Sequence, residues 1–166
     1  REQAERFGLK VQDKNVEKVD FSERPFKIFV EGEQFLAKAV IISTGAEAIW
    51  LDAENEASQK GRGISTCATC DGAFFRDEEV LVVGGGDSAM EEATFLTRFA
   101  SKVTILHRRD TWKASKVMLD RAMNHPKIEI RPFRQVKTWL SDDAGLTGAL
   151  LEDPRDASTE EIQATG

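Results

Sequence analysis

The chain has no long apolar run, no surplus of basic residues and almost no cysteine. Its longest unbroken aliphatic stretches are four residues, such as Ala39–Ile42. A membrane-spanning helix needs about 20 apolar residues, so none is expected. The 23 Lys and Arg are outnumbered by 29 Asp and Glu, giving a net charge of −6 over 166 residues. A protein that tracks nucleic-acid phosphates usually carries the opposite balance, so no nucleic-acid partner is expected. The opening Arg1-Glu2-Gln3-Ala4-Glu5-Arg6 has no apolar core of a secretory signal. It also has no initiating Met, so a piece of a longer chain is expected. The only cysteines are Cys67 and Cys70. Two are too few for a disulfide-stapled secreted fold, which points to a reducing cytoplasmic compartment.

Apolar residues still make up 40% of the chain, enough to build a core. Gln3–Phe7 reads as a helix end closed by Gly8. Val16–Phe21, Phe26–Val30 and Gln34–Ala37 read as strands, the last two joined by a turn at Glu31-Gly32-Glu33. Ala39–Ser43 reads as a strand buried on both faces. From Glu47 to Arg62 the composition turns polar, which places a boundary there.

Strand and helix then alternate. Val80–Val83 is a buried strand, Ser88–Phe99 a helix, and Val103–Leu106 the next strand. Lys113–Asn124 is a second helix, capped by Asp110 or Thr111 and stopped by Pro126. Three more strands are expected at Ile128–Arg131, Val136–Leu140 and Gly145–Leu151. The tail after Asp153 reads as polar and without a closing element, and Glu160-Glu161 as solvated.

Val83-Gly84-Gly85-Gly86-Asp87-Ser88-Ala89 fits a strand–GxGxxA–helix turn. The first glycine permits the turn, Gly86 lets backbone approach a pyrophosphate, and Ala89 is small enough for close helix–strand packing. The free N–H groups and dipole of the following helix favour an anion. The second strand runs into His107-Arg108-Arg109, with no carboxylate before Asp110. An NAD site usually has an acidic residue there for the ribose 2′-hydroxyl. Two guanidiniums suit a 2′-phosphate instead, so NADPH is expected over NADH. Lys113 and Lys116 extend the positive patch.

Cys67-Ala68-Thr69-Cys70 admits three readings: a zinc half-site, a structural disulfide and a redox dithiol. Zinc needs two more ligands, and His107 and His125 form no second pair, so no metal is expected. A structural disulfide is unexpected inside the cell. A redox dithiol remains. Asp71 is either its proton carrier or a surface turn residue. Hydride does not pass efficiently from a nicotinamide to a disulfide without a flavin between them.

Three stretches, Gly61–Gly72, Gly84–Ala93 and His107–Asp110, resemble the low-molecular-weight NADPH-dependent thioredoxin reductases in order and separation. The resemblance extends from Gln3 to Leu151. It implies a Rossmann-like, three-layer α/β NADPH domain with a β-meander over residues 50–166. Residues 1–49 would be part of an FAD domain, with Ser43-Thr44-Gly45-Ala46 its second FAD-contacting motif. Cys70 would face the flavin, with Cys67 its partner thiol and Asp71 the acid–base group. Gly84, Gly86, Asp87, Ser88 and Ala89 would cradle the pyrophosphate. His107, Arg108, Arg109 and Lys113 would surround the 2′-phosphate, and Glu91 would lie near the nicotinamide. Lys113 departs from the arginine of many relatives and loses its fork geometry.

The implied activity is transfer of electrons from NADPH through FAD and the Cys pair to thioredoxin, by a homodimer when full-length. The flavoprotein subunit of an alkyl hydroperoxide reductase system is similar in this region. For this fragment alone, a non-catalytic NADP-binding module is the other alternative. The fragment is expected to bind FAD poorly, since it lacks an N-terminal glycine-rich fingerprint.

Overall fold

Bulky and polar residues alternate on either side of Glu31-Gly32, and the chain reverses there. Both residues have positive φ, +48° and +82°, the geometry whose twist matches two antiparallel strands. In a computed structural model, which describes residues 1–45 and 47–166, the chain divides into units Arg1–Glu47 and Ala48–Gly166. The first contains helix α1 (Glu2–Glu5) and strands β1 (Val16–Asp20), β2 (Phe26–Val30) and β3 (Glu33–Ala37). The strands form an antiparallel sheet in that order. The expected strand at Ala39–Ser43 is absent. Ile41 is 91% exposed and Ile42 69%. A β-branched apolar run becomes a strand only beside a partner, and no described strand lies next to it.

The second unit contains α2 (Glu56–Gln59), α3 (Ala68–Asp71), a 3₁₀ turn over Gly72–Phe75, β4 (Glu79–Val83), α4 (Asp87–Leu96) and β5 (Lys102–His107). It continues with α5 (Lys116–Met123), β6 (Ile128–Pro132), β7 (Gln135–Asp142), β8 (Gly145–Glu152) and β9 (Thr159–Gln163). Strands β4, β5 and β6 pair in parallel, with Val82 opposite Ile105 and Ile105 opposite Ile130. Strands β7, β8 and β9 form an antiparallel meander.

Side-chain alternation along the parallel strands builds two cores. Val80, Val82, Val103 and Ile105 pack with Met90, Ala93 and Leu96 of α4 and Ala122 of α5. On the other face Leu81, Val83 and Leu106 pack with Val136, Trp139, Leu146, Ala149 and Leu151 of the meander. The unit is therefore an α/β arrangement of three layers, with helices on one face of a parallel sheet and a β-meander on the other. Each fully buried side chain such as Leu106 or Met90 contributes about 1.5–3 kcal/mol of transfer free energy.

Two expectations are corrected here. The helix expected from Lys113 starts at Lys116, with Ser115 rather than Asp110 or Thr111 at its N-cap. The N–H groups of Lys113 and Ala114 both donate to the Gly85 carbonyl, at 2.8 and 3.0 Å, which holds these residues outside the helix. The tail after Asp153 does form an element, β9, paired to β8. Beyond β9, Thr165 N–H donates to Glu79 C=O and Leu81 N–H to Gly166 C=O, so the final residues bond to β4.

Candidate active site

Gly72 sets where the cysteines lie. A Cβ on this buried residue would stand 3.1 Å from a Leu96 methyl and 3.4 Å from the Phe99 ring. Its absence brings α3 close against α4 and its C-terminal turn. Cys67 is the N-cap of α3. It is joined to Cys70 by a disulfide with a Cα–Cα separation of 5.3 Å, within the usual span. The Ser65 hydroxyl accepts the Cys67 N–H at 3.0 Å. The Cys67 carbonyl accepts N–H groups from both Cys70 and Asp71 at 3.1 Å. Cys67 and Asp71 are half-buried and Cys70 is exposed.

A cavity of about 550 Å³ brings Cys67 and Asp71 together with Ser88, Ala89 and Glu92 of α4, against β4 and Trp139. This is the link between the cysteine motif and the glycine motif: residues separated by about twenty positions line one hollow. Glu92 was not singled out by sequence, whereas Glu91 was. Glu91 is exposed and does not line the cavity, while Glu92 is half-buried and does. Desolvation raises the Glu92 carboxyl above its ordinary range, and the charge of Glu91 adds to the effect. Only the rotational phase of α4 separates the two: Glu92 stands three residues after Ala89 and four before Leu96, both buried, and that spacing is the signal that could have found it.

The glycine turn is built as its spacing suggests. Gly84 has φ +155°, and a Cβ there would meet Ala89 Cβ at 2.9 Å, so strand and helix approach closely. Gly84 N–H donates to Leu106 C=O at 3.0 Å, tying the turn to the end of β5. Gly85 lies under the His107 ring. A Cβ at Gly86 would meet nothing within 4 Å, leaving this backbone open at the N-cap of α4. Ser88 and Asp87 are exposed in the first turn. Asp87 directs its carboxylate to the Ser115 N–H rather than to solvent alone.

At the end of β5, His107 stacks on Trp112 with ring centroids 4.7 Å apart, and its Nε2 lies 3.1 Å from the Thr111 carbonyl. Arg108, Arg109 and Lys113 are exposed. Among the described residues none of the three has a carboxylate within ion-pair distance. Free guanidiniums beside an open glycine turn suit a phosphate. Thr44 and Gly45 are exposed on Arg1–Glu47, and Ala46 lies outside the described residues.

The reading of Glu160 as solvated is corrected. Its carboxylate takes Arg131 Nη2 at 2.8 and 2.9 Å and also bonds Arg134 Nε. These guanidiniums hold its pKa below the ordinary value.

The family model for pyridine nucleotide-disulphide oxidoreductases matches residues 2–164. The thioredoxin reductase of Vibrio cholerae is 41% identical over the whole chain, which covers 53% of that protein. Thioredoxin reductase 2 of Arabidopsis thaliana is 54% identical over 78% of the chain and 36% of its own length. Among solved structures, thioredoxin reductase from Giardia duodenalis superposes with a TM-score of 0.83 at 40% identity, over 99% of this chain and 54% of that one. The Lactococcus lactis thioredoxin reductase gives 0.77 at 36% identity, over 99% and 55%. The chain thus spans about half the length of the relatives it matches along its whole extent. With the glycine turn, the free guanidiniums and the Cys67–Cys70 pair in one unit, and the match running nearly end to end, the chain belongs to the pyridine nucleotide-disulphide oxidoreductase family.

Proposed function

We propose that this chain is the dithiol-bearing, NADPH-binding part of a thioredoxin reductase, with residues 1–49 belonging to its FAD-binding domain. One observation carries the reading: Cys67 and Asp71 line the same hollow as Ser88 and Ala89 of the glycine-turn helix. The thioredoxin reductase names of the relatives support it.

The residues present fit a phosphorylated nicotinamide cofactor. The Gly86 backbone is open, and its helix N-terminus would hold the pyrophosphate. Arg108, Arg109 and Lys113 would hold the 2′-phosphate. For the flavin, this chain would contribute Thr44 and Gly45, both exposed. When bound, NADPH supplies a hydride and FAD relays its two electrons to sulfur.

The chain's own chemistry is then thiol–disulfide exchange. The reduced pair offers one thiolate to a thioredoxin disulfide, forming a mixed disulfide and releasing one thioredoxin thiolate. The second cysteine of the pair attacks the mixed disulfide, restoring Cys67–Cys70 and releasing the dithiol. Asp71 carries a proton to or from these sulfurs. The full-length protein would act as a homodimer in a reducing, cytoplasmic compartment. No described helix is long and apolar enough to cross a membrane.

Stopped-flow spectroscopy on the full-length protein tests the reading. NADPH is expected to bleach the flavin, and oxidised thioredoxin to restore its colour. Absence of flavin bleaching by NADPH overturns it.

A further inference from the structure

We infer that Arg155, its guanidinium carbon over the Phe133 ring, is a stacking wall for a purine ring beside the basic turn of β5. The inference rests on reading Gly84–Ala89 and Arg108–Arg109 as a dinucleotide phosphate site.

Phe133 follows the end of β6 and takes φ +55°, a left-handed conformation that bulky residues rarely adopt. The next residue, Arg134, donates its N–H to the His107 carbonyl at 3.0 Å. The turn after β6 is thereby tied to the turn after β5, where Arg108 and Arg109 follow. Both turns lie at the carboxyl ends of parallel strands, the place where open α/β sheets take ligands.

Arg155 reaches this point from the turn between β8 and β9. Its guanidinium carbon stands 3.8 Å from the centroid of the Phe133 ring. Asp153 accepts Arg155 Nε at 2.9 Å and Nη2 at 2.6 Å. Arg134 donates to the same carboxylate at 3.1 Å. The Asp153 side chain is 6% exposed, and that of Arg155 is 59% exposed. A long side chain in water is ordinarily free among many rotamers, whereas this one is fixed at its edge by a buried carboxylate and on one face by a ring.

What remains available is the solvent-facing side of a guanidinium whose side chain stays largely exposed. Two of the edge donors are occupied by Asp153, so the feature on offer is a planar cation rather than an anion fork. Purines stack on guanidinium planes as they do on aromatic rings. Arg134, next to Phe133, is bonded to the His107 carbonyl, one residue before Arg108. The stacking face and the basic turn therefore belong to one neighbourhood. A purine there is the base of the same ligand whose 2′-phosphate the guanidiniums would hold.

Titration calorimetry on the 166-residue chain separates the outcomes, with adenosine 2′,5′-bisphosphate and inorganic pyrophosphate as probes. Arg155→Ala is expected to weaken adenosine 2′,5′-bisphosphate about fivefold, the effect of one exposed stacking contact, and to leave pyrophosphate unchanged. Arg155→Lys keeps the charge but not the plane, and the same loss is expected. Circular dichroism is expected to show both variants folded. Unaltered adenosine 2′,5′-bisphosphate binding in either variant overturns the inference, as does an equal loss for pyrophosphate. If Arg108→Ala with Arg109→Ala abolishes binding while Arg155→Ala does not alter it, the stacking inference alone fails. If the unmodified chain binds neither probe, the phosphate-site reading fails and the stacking inference fails with it.

Discussion

The Asp87 carboxylate accepts the backbone N–H of Ser115 at 2.7 Å, joining the first turn of α4 to the N-cap of α5. One side chain of α4 thus holds the start of α5, and the residues leading into it, Lys113 and Ala114, hang from the Gly85 carbonyl. The glycine turn and the start of α5 are one mechanical unit.

Asp87→Ala removes the acceptor for a helix-start N–H. A cost of about 1 kcal/mol is expected, as for loss of a helix cap. Chemical denaturation should show a lower midpoint with an unchanged slope. An unshifted midpoint would show that solvent replaces the carboxylate without loss.

Gly85→Ala should destabilise the unit through a contact rather than through backbone strain. Its Cβ would stand 2.5 Å from His107 Cε1 and 2.7 Å from both ring nitrogens. The ring is held by Trp112 and the Thr111 carbonyl, so it moves only by breaking those contacts. An overpacking cost of about 1–3 kcal/mol is expected. Gly86→Ala, whose Cβ would meet open space, should melt close to the unmodified protein. Thermal melts of the two variants side by side check the contrast.

On the proposed reading, Arg108→Ala with Arg109→Ala should erode a preference for NADPH over NADH. Each charge-assisted hydrogen bond contributes about 1.5–3 kcal/mol, so the pair should cost NADPH at least about a hundredfold in affinity. NADH binding should change little. Equal affinities for the two cofactors in the unmodified protein, unaffected by the double change, would remove the phosphate role.

Asp153 should confer an acid-sensitive part of the stability. Hydrogen bonds from Arg155 hold its carboxyl far below the ordinary 3.8, and the charge of Arg134 lowers it further. For an acid with a depressed folded-state pKa, the stabilisation is complete above the unfolded value. It is lost as pH falls through the folded one. Asp153→Asn should therefore lower Tm at neutral pH, and the difference should shrink once pH falls below about 4. A Tm difference constant down to strong acid would refute the assignment.

The parallel sheet, its two helices and the glycine turn were legible because period and turn chemistry agree over Val80–Arg131. Ala39–Ser43 carries an equally strong strand signal, but a strand also needs an edge to pair with, and local pattern says nothing of that. Strand β9 was hidden by Thr159, Glu160 and Glu161, whose polarity reflects an edge strand and the ion pairs of Glu160. The cysteine and glycine motifs were each visible, while their meeting in one hollow depends on Gly72 seating α3 against α4. Glu92, Asp153 and the Phe133–Arg155 stack carry no motif. Their placement follows from helix phase and from contacts between turns distant in sequence.

The cations at the carboxyl end of the parallel sheet, unpaired among the described residues, also bear on how an anionic ligand would arrive. The chain as a whole repels anions at −6, yet Arg108, Arg109 and Lys113 stand exposed at one pole of the Ala48–Gly166 unit. A multiply charged anion is drawn down a gradient toward that pole from within about one Debye length, ~8–10 Å at ordinary ionic strength. Capture should therefore slow as salt rises, although protein and ligand share the same overall sign.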